Sequence, residues 1–522
     1  MTLMLTLGTA AFGAQKTLPS GKDTGSINVT NLKPGDTVTA YQFVKADYNE
    51  YGFTGYSAIN NYVKDPVAPT AQEVIDMASN AATMTVAAEK KVATGDTEVT
   101  LNGLPVGYYL VMVTSGSETV YSPMIAGIYY SKSATDNTLT NGAISADSDF
   151  EIKAQKCWAK SSTPKLEKTI VTPSSKNSKG DDIAIGDKIT FNLSATVPSY
   201  SKEYKKVTYK IYDIMSEGLD YVDGSMKCFI EKYENNRENI KVTPKVNGGI
   251  IEITFDSKFI LEHPGQKIQV EYQAKLNEKA GVNFDANINK AYLEYSNNPA
   301  SGSTAKTGED KVYVYTFGID SNLFGKSTEK WNGKTKELIK VEEGEYQWVE
   351  TEKESGIFTT TTALEGATFT LTNNKTKKSY TATSDKYGYL KFTGLDAGEY
   401  TLQETDAPDG FTLNDAKHTV VITAEYNQDG TLKSYTIKID DKATSTYTAT
   451  YDKGVIKTIT STKDSQGNIS ESAILKNSKM SFLPSTGGVG TTIFAIVGVV
   501  FVAAALGLHM ILRGKSKLEQ DR

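Results

Sequence analysis

Side chains suited to redox, metal or nucleophilic chemistry are few and widely spaced in this sequence. The three histidines are His263, His418 and His509, and no HExxH or CxxC pattern gathers them into a zinc or haem site. A Ser-His-Asp triad would need His263 or His418, and neither lies in a recognisable nucleophile context. Cys157 and Cys228 are the only thiols in 522 residues. They can pair in an oxidising compartment or stay free, but they are too few for a disulfide framework. The sequence therefore gives no reason to expect a metal, a cofactor or an enzyme active site. Its distinctive chemistry lies near the end, where Leu483-Pro484-Ser485-Thr486-Gly487 precedes an uncharged run and a basic cluster.

The elements around these residues are strands. Such a length exceeds one core and suggests three or four domains. A net charge of −6 gives no support for nucleic-acid binding. Thirty tyrosines, alternating with Thr, Val and polar residues, are the composition of half-buried strands. The runs ITFNLSATVP, KVTYKIYDIM, KIQVEYQAKL and NKAYLEYSNN, with Gly and Asp turns at short intervals elsewhere, predict an all-β chain of tandem sandwiches. AQEVIDMASNAATM is the one plausible helix, and the charged stretch between Lys326 and Thr362 reads as a solvated loop or extra hairpin.

Both ends read as addresses. Residues 1–14 look like the second half of a secretory signal, with an apolar stretch and small residues but no basic start, so the true signal is expected to be longer. Residues 491–512 are uncharged, and about 20 residues at about 1.5 Å rise cross a bilayer core. Arg513, Lys515 and Lys517 follow within the tail 513–522, which predicts a cytoplasmic C-terminus and an external remainder.

The pentapeptide, span and cations together resemble the sorting signal of Gram-positive surface proteins. The resemblance implies cleavage between Thr486 and Gly487 by sortase, a membrane transpeptidase that holds the chain as a thioester until an amine takes it. The succession of blocks, with YSNNP and DKVYVYTFGID closing the second, resembles the backbone pilins of those bacteria over almost the whole chain. The resemblance implies tandem immunoglobulin-like sandwiches and a C-terminal transmembrane helix. An N-terminal domain (15–160) would precede an isopeptide-forming middle domain (161–316) and a collagen-adhesin B-type domain (317–480), with the sorting signal at 481–522. It also implies a covalent homopolymer at the cell wall, with peptidoglycan and host surface molecules as further partners.

Three groups of residues acquire roles from that resemblance. The acceptor amine of the next subunit would be Lys160, in a degenerate match to the family's linkage motif, with Lys156 and Lys165 as alternatives. In the middle domain Lys168 would join Asn289 or Asn297, assisted by Asp213, which stands between the strand residues Ile211 and Ile214. Period two places Asn289, Ala291, Leu293, Tyr295 and Asn297 on one face of what reads as the last strand. In the C-terminal domain Glu404 matches the family's acid and Asn477 its amide. The family's lysine position is Leu323 here, leaving Lys326 as the nearest candidate.

The chemistry of such a bond is simple. An ammonium cannot attack, but burial lowers a lysine pKa and raises that of a carboxyl, so the amine can be neutral and the acid can donate as ammonia leaves. A first-to-last-strand amide would carry tension past the sandwich, whose hydrogen bonds contribute only about 1 kcal/mol each. The rival readings are a singly anchored wall adhesin, a surface hydrolase, and a minor pilin at the fibre's base or tip.

Overall fold

The computed structural model describes residues 18–476 and 498–499, except 116–117, 132–142, 145–149, 172–176, 232–236, 320–323, 328–330, 343–344, 359–364, 386–389, 441–442 and 463–471. From 320 to 364, at 441–444 and beyond 460 only the backbone path is described. The expected signal segment, the LPSTG motif, Asn477 and nearly all of the expected membrane span lie outside the described residues. Among the described residues no helix is long and apolar enough to cross a membrane.

The N-terminal group of strands is β1 (Thr24–Thr30), β2 (Thr37–Asn49), β3 (Gly52–Ala58), β4 (Val86–Lys91), β5 (Glu98–Pro105) and β6 (Gly107–Thr114). It continues with β7 (Val120–Tyr121), β8 (Met124–Ser131), β9 (Glu151–Ala154), β10 (Cys157–Trp158) and β11 (Ser161–Ser162). One sheet runs β3-β2-β6-β8-β9 and a smaller one β10-β1-β5, and Ile27, Val29, Leu101, Val111 and Ile128 fill the space between. The expected helix forms as α1 (Ala71–Ser79), started by a capping box in which Thr70 and Glu73 satisfy each other's backbone N–H groups.

The central group forms two facing sheets. One contains β12 (Leu166–Ile170), β14 (Lys188–Thr196), β16 (Leu219–Tyr221), β17 (Lys227–Glu231), β18 (Arg237–Ile240) and β21 (Lys267–Leu276). The other contains β13 (Gly180–Asp182), β15 (Tyr209–Met215), β19 (Lys245–Asn247), β20 (Ile250–Thr254), β22 (Asn287–Asn298), β23 (Ser303–Lys306) and β24 (Asp310–Tyr315). A short helix, α2 (Ser257–Glu262), is capped by Asp256. Alternation decides the faces. On β14 Ile189, Phe191, Leu193 and Ala195 point inward, and on β21 Ile268, Val270, Tyr272, Ala274 and Leu276 do the same.

The last group is built on a seven-stranded antiparallel sheet. Its members are β29 (Thr368–Asn373), β30 (Ser379–Thr383), β32 (Gly398–Asp406), β33 (Lys417–Tyr426), β34 (Leu432–Ile439), β35 (Ala443–Asp452) and β36 (Val455–Thr462). β25 (Phe317–Ile319) pairs with β31 (Phe392–Leu395), closing a core of Phe317, Phe369, Leu371, Tyr400 and Val420. The charged insert is a hairpin of β27 (Trp331–Glu342) and β28 (Glu345–Phe358), the second of its two expected forms. β26 (Phe324–Ser327) pairs in parallel with β37 (Ser472–Lys476).

Hydrogen bonds join the groups. The Tyr295 hydroxyl donates to the Glu118 carbonyl, and the Gly308 N–H donates to the Glu118 carboxylate at 2.9 Å. Further along, the buried Asp182 accepts from the Tyr426 hydroxyl at 2.6 Å and from the Ala397 N–H. Gly180 lies so close to Gly430 that a Cβ at position 180 would meet its carbonyl oxygen at 2.2 Å, so only glycine fits.

Cys157 and Cys228 do not pair. Each is a free thiol buried in a separate core, where desolvation pushes it up to about 11 and about 12 respectively. Both thiols are therefore protonated and inert at neutral pH.

Candidate functional site

The central core contains a polar cluster with no path to solvent. Lys168, Asp213 and Asn289 are each 0% exposed. Lys168 occupies an inward position of β12 between Leu166 and Ile170. Asp213 occupies an inward position of β15 between Ile211 and Met215, with Ile214 on the opposite face. Asn289 is inward on β22, with Asn287 and Ala291 on the same face. The lysine thus comes from one sheet, and the acid and carboxamide from the other.

Contacts within the cluster are direct. The Lys168 ammonium is paired with Asp213 Oδ2 and lies 3.1 Å from the Tyr272 hydroxyl. That hydroxyl donates to Asp213 Oδ1 at 2.7 Å and accepts from Asn289 Nδ2 at 2.7 Å. Rings wall the amine, with Nζ 5.0 Å from the Phe191 centroid and 5.3 Å from that of Tyr272. Asn289 Oδ1 is buried without a hydrogen-bond partner, which costs about 1–3 kcal/mol and marks a site whose polar groups are not placed for stability alone.

Burial lowers the lysine's pKa, and the neighbouring Asp213 charge opposes that shift. Burial also raises the Tyr272 phenol well above its ordinary range, with the Asp213 charge adding to it. The backbone under the amine is fixed as well. The Lys168 N–H donates to Asp310 Oδ2 at 2.7 Å, and Lys179 bridges the same oxygen and the Lys168 carbonyl at 2.6 Å each. β12 is therefore clamped to β24 beside the buried cluster.

The two expected asparagines separate here. The β22–β23 register slips between Ser296 and Asn298, and that irregularity turns Asn297 out of the core. Its Oδ1 accepts from the Ser303 hydroxyl, whereas Asn289 faces Lys168's partners. One expectation is corrected: β22 is not the last strand of its group, because β23 and β24 follow it. Tyr272 was legible only as an inward residue of KIQVEYQAKL, and nothing in a chain with thirty tyrosines distinguishes it before folding.

In the C-terminal group Glu404 is 2% exposed and accepts from the Asn414 N–H at 2.7 Å. Lys326 stands opposite Leu475 in the parallel β26–β37 pair, two residues before Asn477. Lys156, Lys160 and Lys165 are all exposed on the segment joining the first two groups. The Lys160 carbonyl accepts from the Ser122 N–H at 3.0 Å, and the preceding Ala159 N–H donates to Thr30. His263 hydrogen-bonds through Nδ1 to the Phe259 carbonyl at the end of α2, and His418 pairs with Asp440 at 2.7 Å.

Comparison with known proteins places this architecture. Residues 22–161 match the T6 antigen Ig-like domain family, 357–437 the SpaA prealbumin-like fold domain, and 476–517 the LPXTG cell wall anchor motif. The trypsin-resistant surface T6 protein of Streptococcus pyogenes serotype M6 is 26% identical over 549 residues, covering 95% of this chain and 96% of the relative. The solved T6 backbone pilin of serotype M6 Streptococcus pyogenes, 21% identical, superposes with a TM-score of 0.59 over 89% of this chain and all of that one. The full-length major pilin SpaD of Corynebacterium diphtheriae, 16% identical, gives 0.48 over 88% of this chain and 98% of that one. Sandwich architecture, similarity along nearly the full length of the T6 protein and the matched anchor motif converge: the chain shares the fold of the T6 backbone pilin and carries an LPXTG cell wall anchor motif.

Proposed function

We propose that this chain is a backbone pilin, joined to its neighbours by cleavage between Thr486 and Gly487 and transfer of the Thr486 carbonyl to the Lys160 amine of another copy. The chain is the substrate of that reaction rather than a catalyst. Lys160 is preferred over Lys156 and Lys165 because it stands at the position that matches the family's linkage motif, where its side chain is exposed and its carbonyl accepts from the Ser122 N–H. At the fibre's base the same carbonyl passes to a peptidoglycan amine, and the polymer extends outward to host surface molecules.

Each subunit is locked internally by an amide between Lys168 and Asn289, with Asp213 as the assisting acid. The observation that carries this reading is the sealed contact network linking Lys168, Asp213 and Asn289. A buried ion pair could have been replaced by apolar residues at little cost, so its presence in a sandwich core favours a chemical role. A second amide, between Lys326 and Asn477 with Glu404 as its acid, would lock the last group in the same way. Each amide releases one ammonia, so the intact mass of the secreted ectodomain, short by about 17 Da per bond, tests the reading. A full-mass ectodomain rejects both bonds.

A further inference from the structure

The acid of the buried cluster does not touch the group that must leave. Asp213 contacts Lys168 through one oxygen and Tyr272 through the other, while Asn289 Nδ2 contacts the Tyr272 oxygen. Among the described residues Tyr272 is thus the one hydroxyl within hydrogen-bond reach of both nitrogens of the exchange, 3.1 Å from Lys168 Nζ and 2.7 Å from Asn289 Nδ2. The geometry points to Tyr272 as a catalytic proton relay, carrying a proton from the attacking nitrogen to the departing one. This inference rests on the Lys168–Asn289 amide proposed above.

The steps balance. Asp213 Oδ2 takes a proton from the Lys168 ammonium, leaving a neutral amine and a neutral acid. The amine lone pair attacks Asn289 Cγ, forming the new C–N bond and a tetrahedral centre with charge on Oδ1. In that centre Nδ2 is no longer conjugated and becomes basic. As the Cγ–Nδ2 bond breaks, the Tyr272 hydroxyl gives its proton to Nδ2, and its oxygen takes one from the former lysine nitrogen. Ammonia leaves, an amide N–H remains, and Tyr272 is regenerated. Departing ammonia then removes the proton held by Asp213.

Three features fit this task. The neutral acid is a weaker acceptor than the carboxylate, so the first proton transfer frees the hydroxyl to turn from Asp213 towards Nδ2. Burial disfavours a free tyrosinate, so giving and receiving must be concerted. The ring is also packed, 5.5 Å from Phe191 and 5.9 Å from Tyr221 between centroids, which fixes where the hydroxyl sits.

The test is the rate at which mass is lost. The ectodomain, recovered unlinked in denaturant, is folded by dilution, quenched at intervals and weighed, with circular dichroism following folding in parallel. Wild-type chain is expected to become lighter by about 17 Da per bond. Y272F keeps the ring and is expected to lose the Lys168-dependent ammonia about 10²-fold more slowly once folded. Equal half-times for Y272F and wild type overturn the relay and leave the amide standing. No Lys168-dependent loss in the wild type overturns both. A packing role is separated by comparing K168A with K168A/Y272F, neither of which can form this bond. Melting temperatures within a few degrees support the relay, and a large drop overturns it in favour of packing. Should Y272F fail to fold, wild-type rates in water and deuterium oxide decide, since identical rates exclude a rate-limiting proton transfer.

Discussion

Lys168 and Asn289 test the proposed amide one side chain at a time. K168A and N289A should each weigh about 17 Da more than wild type, relative to the composition of each variant. Both lose a link that closes a loop of about 120 residues, which by the disulfide analogy contributes about 4–5 kcal/mol. A loss of that size should lower the melting temperature by roughly 10–20 °C in calorimetry. D213A should keep full mass for this bond and be at least as unstable, because it leaves the Lys168 amine buried without its partner. Lys168 and Asp213 were legible before folding through the family resemblance, Lys168 by its position near a first strand and Asp213 as an acid set among strand residues, and both lie at inward positions. Such a position is uncommon for a charge unless it is paired or reactive. Tyr272 was not, because a buried tyrosine satisfies the same alternation without any chemistry.

Strand alternation accounts for most of what the sequence disclosed, and breaks in alternation for what it concealed. Ile189, Phe191, Leu193 and Ala195 on β14 read directly as one face. On β22 the same reading fails after Tyr295, because a residue inserted at the β23 edge changes the phase and period two no longer holds. Asn297 is therefore a hydrogen-bonded surface residue. N297A should leave the ectodomain mass deficit unchanged and shift stability by less than about 0.5 kcal/mol, whereas N289A removes about 17 Da of it. Mass spectrometry and thermal melts on the pair distinguish them. The insert's hairpin had been one of two readings, since charge and β-branched content do not by themselves tell a loop from a solvated ladder. The pairing of β26 with β37 joins segments about 150 residues apart, a register that no local pattern encodes.

Assembly and joints belong to the whole molecule. On denaturing gels of the cell-wall fraction, K160A should abolish or shorten the high-mass ladder expected of a covalent polymer, and an unchanged ladder would transfer the role to Lys156 or Lys165. The junction around Asp182 adds a pH dependence. Burial pushes its carboxyl up to about 6, against hydrogen bonds from Tyr426 and Ala397 that pull it down. An acid with a raised folded-state pKa contributes fully below its unfolded value of about 4, and that contribution fades as pH rises through about 6. Wild type minus D182N melting curves should therefore lose about 1–3 kcal/mol between pH 4 and pH 7. A flat difference curve would show that the junction does not sense pH.

The position of β23 and β24 beyond Asn289 determines how the pilin would behave under load. A pull entering at Lys168 would leave its strand through the amide at Asn289, so everything from Thr169 to Ile288 is bypassed. The chain from Lys290 to Tyr315 is not, and ladder hydrogen bonds, the Asp310 clamp, the Glu118 contacts and the buried Leu293, Tyr295, Val312 and Val314 must retain it. Load that overcame this hold would draw out these roughly 26 residues, lengthening each subunit by at most about 90 Å. A fibre of such subunits would yield in small recoverable steps, like a tether with built-in give, while the bypassed part of each sandwich stayed shut.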